Sequence, residues 1–133
     1  MTSGRRDLLT AHLPAAAWLL AVTASLAAPK RDFADLPEWW PHLLHFQALD
    51  KVVHGLLFAG LALLVGRSFR RLPLFRRPLL AAFLAASLYG LATEVGQHTL
   101  TDRAGEAADW GADVLGAAAG VAPLALRRRP APH

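Results

Sequence analysis

The chain contains no cysteine among its 133 residues. Disulfides, zinc–thiolate centres and thiol nucleophiles are therefore excluded. Only two lysines occur, Lys30 and Lys51, so the positive charge is almost entirely arginine. No HExxH or similar metal-ligand spacing is present, so no bound metal is expected. No glycine-rich phosphate loop, internal repeat or low-complexity tract stands out, apart from alanine richness. Asp, Glu, Lys and Arg are all missing from Leu8 to Pro29, a run of 22 residues. That run equals the ~20 apolar residues needed to cross a bilayer.

What is present is apolar. The hydrophobic share is 54%, high for a soluble domain, where about 45–50% is usual even with Gly included. The length suits one domain, residues 1–133. Four apolar segments follow one another: about Leu8–Pro29, Asp50–Gly66, Pro78–His98 and Asp109–Leu126. We expect an all-α polytopic membrane protein, a bundle of four transmembrane helices with a short interfacial segment after the first. Pro29, Pro37 and Pro41 break any long helix between the first two spans. Trp39 and Trp40 favour the bilayer–water interface there, and residues 42–49 are expected as a short interfacial helix. A basic start, an apolar core and Ser25-Leu26-Ala27 also fit a cleaved signal peptide. A soluble four-helix bundle is the other alternative, but Leu13–Ala28 offers almost no polar face.

Charge placement gives an orientation. With four spans, Arg5, Arg6, Arg67, Arg70, Arg71, Arg76, Arg77 and Arg127–Arg129 lie on one side, ten basic residues. Lys30, Arg31, Lys51 and Arg103 lie on the other. The positive-inside rule places the ten, and both termini, in the cytoplasm. So basic a chain also admits nucleic acid as a partner, but this distribution argues against it.

The same topology gathers polar groups at the outer side. Asp50, Lys51 and His54 open the second span. Glu94 and Gln97 close the third, on one helix face with Gly90. Arg103 lies in the loop, and Asp109 and Asp113 open the fourth span. Ionisable groups beside apolar spans are costly to desolvate and invite a functional reading. Four uses are open. Paired carboxylates with His54 suit acid–base work on a lipid-linked substrate, with Glu94, Asp109 and His54 as candidates. Carboxylates with an imidazole suit a divalent cation. Lys51 and Arg103 suit an anionic phosphate. A network of salt bridges holding helices together needs no ligand. Taken alone, His54 reads as a hydrogen-bonded interior histidine. Ser87 lies too far down its helix to join the cluster easily. Ala112, Gly116 and Gly120, four apart, read as helix-packing positions, and dimerisation through the glycines is also open.

The succession Asp50-Lys51-x-x-His54, Tyr89-Gly90-x-x-x-Glu94-x-x-Gln97, and Arg103-x-x-Glu106-x-x-Asp109-x-x-x-Asp113-x-x-Gly116-x-x-x-Gly120 resembles the VanZ-like family of small bacterial membrane proteins. The resemblance covers about residues 48–122. This chain departs at Asp113, where the family often has Asn, which adds a charge. The resemblance implies a multi-helix membrane protein whose polar signature is Asp50, Lys51, His54, Glu94, Gln97, Arg103 and Asp109. The family takes its name from a protein associated with low-level resistance to the glycopeptide teicoplanin. We therefore expect a binding protein rather than an enzyme, without a cofactor. Its outer cluster would bind or shield an anionic lipid or lipid-linked cell-wall precursor. A lipid-modifying enzyme and a structural subunit are the alternatives.

Overall fold

The computed structural model describes residues 3–27, 46–100 and 107–127, with side chains described from residue 9 and, in the second helix, from residue 51. Among the described residues the regular structure is all helical: α1 (Ser3–Ala27), α2 (Phe46–Phe69), α3 (Pro78–Leu100) and α4 (Ala107–Leu126). The interfacial segment expected after the first span lies mostly outside the described residues. Residues 46–49, expected in a separate helix, instead form the first turn of α2. Nothing in Phe46-Gln47-Ala48-Leu49 breaks a helix, and the last proline before them is Pro41.

Among the described residues, three helices are long and apolar enough to cross a membrane: Leu9–Ala27, Lys51–Phe69 and Pro78–Leu100. α4 has 20 residues, about 30 Å at the usual rise, but two aspartates dilute its start. Between α2 and α3 the chain turns through residues 70–77, where the Arg70 amide donates to the Gly66 carbonyl. Pro78 then occupies the first position of α3, where a missing amide hydrogen costs nothing.

The bundle is turned inside out relative to a soluble protein. Leu20, Leu56, Leu88 and Leu115 are each at least 65% exposed, while His54, Glu94, Gln97, Asp109 and Asp113 are buried. Water would penalise the first set and the interior would penalise the second. A hydrocarbon surround removes the first penalty, and mutual pairing offsets the second. The apolar helices and this surface suggest a membrane-embedded protein.

α2 packs most closely on α4, and α3 lies against both; α1 lies on α2 and touches α3 only lightly. The reason is two missing side chains. A Cβ added to Gly116 would sit 2.1 Å from the Gly55 carbonyl oxygen, and one added to Gly120 would sit 2.2 Å from that of Ala59. The backbones of α2 and α4 touch at both points, as small residues four apart allow. Gly116 and Gly120 thus lie against α2 of the same chain. Around this seam lies the apolar core of Phe58, Leu61, Ala62, Ala86 and Ala117, with Val22 and Leu26 from α1.

Besides the packing of Val22 and Leu26, single polar bonds hold α1 to the rest. Trp18 Nε1 donates to the Leu57 carbonyl, the Thr23 and Tyr89 hydroxyls pair, and His12 pairs with Ser68. Each such interhelical bond contributes on the order of 0.6 kcal/mol in a membrane, far less than a continuous packed seam.

Candidate functional site

The buried polar groups meet at one end of the bundle. α2 supplies Lys51 and His54 from its early turns. α3 supplies Glu94 from its late turns, on the buried face that also carries Ser87, Gly90 and Gln97. α4 supplies Asp109 and Asp113, one turn apart on the buried face that continues through Gly116 and Gly120. The glycine seam sets the register, since Gly55 follows His54 and Gly116 lies three residues after Asp113.

His54 is at the centre. Its Nδ1 donates to Asp113 Oδ1 at 2.9 Å and lies 4.0 Å from Glu94 Oε1. Lys51 Nζ lies 3.4 Å from Asp109 Oδ1. The histidine and Asp113 are almost wholly enclosed, and Glu94 and Asp109 are at most 6% exposed; only Lys51 reaches the surface, with a third of its side chain accessible. Gly90 makes room for this arrangement: a Cβ there would lie 2.9 Å from Asp113 Oδ2. Any side chain at position 90 would push Asp113 off the imidazole.

The residues singled out in the sequence separate into three groups. Lys51, His54, Glu94, Asp109 and Asp113 are brought together. Gln97 is buried one turn beyond Glu94, and its Nε2 donates to the Leu26 carbonyl of α1 at 2.9 Å. It thereby ties α1 to α3 at the same end of the bundle. The side chain of Asp50 and all of Arg103 lie outside the described residues.

Ser87 lies on the same buried face of α3, below Gly90. Its carbonyl accepts a hydrogen bond from Trp110 Nε1 at 3.0 Å, which places the ring of Trp110 along α3. This tie was not legible in the sequence, because a tryptophan near a helix start signals an interface and not a particular partner. Gly55 and Gly90 also escaped as close-approach positions; Gly90 was noted only for sharing the face of Glu94.

Beside Gln97 an apolar cleft of about 360 Å³ opens between α1 and α3, lined by Thr23, Leu26, Ala27, Thr93, Gly96 and Leu100 with Gln97 itself. At the opposite end of the bundle, a second cleft of about 530 Å³ is lined by Arg70, Arg76 and Arg77 with Leu79, Leu80 and Leu124. The described side chains thus place carboxylates at one end and arginines at the other.

No protein-family model, curated protein or solved structure significantly matches the chain. The likeness to the VanZ-like family accordingly rests on the residues themselves.

Proposed function

We propose that this is a four-span protein of the bacterial cytoplasmic membrane, with both termini inside. Its outer polar cluster binds or shields an anionic lipid or a lipid-linked cell-wall precursor. The observation that carries this reading is the convergence of Lys51, His54, Glu94, Asp109 and Asp113 from three helices at one end of an otherwise leucine-faced bundle. Lys51 is the partly exposed member, and Asp109 beside it holds its ammonium in place. A head-group phosphate would meet that ammonium, and Arg103 where the loop brings it near. The apolar cleft between α1 and α3 would take an acyl or prenyl chain at the same end. The VanZ-like succession of motifs supports the same reading and suggests reduced teicoplanin sensitivity as its consequence.

The test is teicoplanin susceptibility of a sensitive bacterium carrying the native protein or Glu94→Ala at matched membrane levels. Vancomycin serves as the comparison drug. The native form is expected to raise the inhibitory concentration of teicoplanin, and Glu94→Ala is expected to lose the effect. Protection by neither form, with both inserted, would refute the wall-directed role. A second reading, acid–base catalysis on such a lipid, is favoured by the imidazole lying between two carboxylates. Glu94→Gln separates the two, since it should abolish turnover while leaving lipid binding and the fold in place.

The orientation is tested by labelling. The absence of native cysteine gives a silent background. Arg71→Cys should react with an impermeant maleimide only from the cytoplasmic side, and Gly105→Cys only from outside. Reaction of both from outside would overturn the four-span topology.

A further inference from the structure

The cluster gathers three buried carboxylates, Glu94, Asp109 and Asp113, around the buried imidazole of His54. Two further facts bear on what else belongs there. One ligand atom each from His54, Glu94 and Asp109 lies within 4.8 Å of the others. In addition, Asp113 Oδ2, on a side chain with no exposure at all, accepts no hydrogen bond and faces the stretch of α3 around Gly90 that leads to Glu94. An acceptor oxygen enclosed with no donor is costly, and a positive ion nearby offsets that cost.

We propose that His54, Glu94 and Asp109 hold a divalent cation of the zinc or manganese class, with Asp113 positioning the imidazole. The donor set decides the class. One imidazole nitrogen with carboxylate oxygens suits zinc or manganese, whereas calcium and magnesium prefer oxygen alone and soft Cu(I) prefers sulfur. The spacing is close to that of a bound set. Ligand atoms each about 2.1 Å from one ion are at most about 4.2 Å apart. Side-chain rotations on the order of 1 Å would close the site around the ion. A carboxylate bonded to a metal-binding histidine sets the ring's tautomer and orientation, and Asp113 already makes such a bond. The three helices that supply the donors are those held together by the glycine seam. This inference is independent of the lipid reading, because ion binding can be measured with no lipid phosphate present.

The experiment uses the full, tag-free chain in a maltoside detergent, stripped with a chelator and then titrated with Zn²⁺ against a competing dye. Bound metal per chain is read by mass spectrometry. The native protein is expected to take one Zn²⁺ per chain, Mn²⁺ more weakly and Mg²⁺ least. Asp113→Asn should weaken zinc by about 10–100-fold, Glu94→Gln and Asp109→Asn by at least as much, and His98→Ala not at all. Native protein that is helical and monodisperse yet takes no Zn²⁺ would overturn the proposal. So would equal affinity in folded Glu94→Gln and Asp109→Asn. If those variants do not fold, X-ray absorption of the zinc-loaded native protein decides. A single imidazole with oxygen neighbours is expected, and two or more imidazoles would place the ion elsewhere and refute the site.

Discussion

Gly116→Ala and Gly120→Ala are each expected to destabilise the protein sharply, while Gly96→Ala and Gly111→Ala leave it unchanged or more stable. All four are helical glycines, so helix propensity alone predicts the same sign for each, a gain of about 0.5–1 kcal/mol. The surroundings reverse it at the first two. A methyl at 116 or 120 would meet the backbone of α2 at 2.1–2.2 Å, whereas nothing lies within 4 Å of a methyl at 96 or 111. Backbone cannot rotate aside as a flexible side chain can, so α2 and α4 must separate. The cost is at the upper end of the about 1–3 kcal/mol for overpacking, or above it. The measurement is the thermal midpoint of the purified protein in detergent. Equal midpoints for Gly116→Ala and Gly111→Ala would mean that the close α2–α4 approach does not exist.

His54→Ala is expected to cost about 1–3 kcal/mol or more, as leaving a buried carboxylate oxygen without its donor does. A plain interhelical hydrogen bond in a membrane contributes only about 0.6 kcal/mol, so the surroundings decide between the two magnitudes. His54 is nearly fully enclosed, and its removal leaves Asp113 and Glu94 facing each other across the vacated space. His54→Gln, which can still donate to Asp113, should recover part of the loss. Stability read by denaturant titration, with helical signal as the readout, checks both variants. A loss below about 1 kcal/mol would mark the His54–Asp113 contact as an ordinary hydrogen bond and would remove the energetic argument for a charged cluster.

The helices and the faces were legible in the sequence where spacing carried the information. Gly90, Glu94 and Gln97, spaced four and three apart, do share the buried face of α3. Asp109, Asp113, Gly116 and Gly120 likewise share that of α4. Periodicity assigns a residue to a side of its own helix, and those assignments hold. It does not name the partner on another helix. That Gly116 meets Gly55 and not a second copy of the chain depends on how α2 and α4 cross. The same is true of Gln97, grouped with the cluster by spacing, whose amide reaches the Leu26 carbonyl of α1. The first turn of α2 was misread for a different reason. Trp39, Trp40 and Pro41 drew the boundary of an interfacial segment too far along, past the point where unbroken helix begins.

The glycine seam also imposes an order on biosynthesis. His54 and Asp113 are 59 residues apart, so α2 is made and released well before the helix that receives it. In the interval Lys51 and His54 have Glu94 as their available carboxylate partner from the later helices, and the notch at Gly55 and Ala59 stands open. α4, with two aspartates near its start, is the helix least able to enter a membrane unaided. The waiting notch, with Lys51 and His54 beside it, gives it a docking place. The site is therefore completed by α4, and a chain truncated before α4 would expose a polar, unfilled groove to the membrane's quality-control proteases.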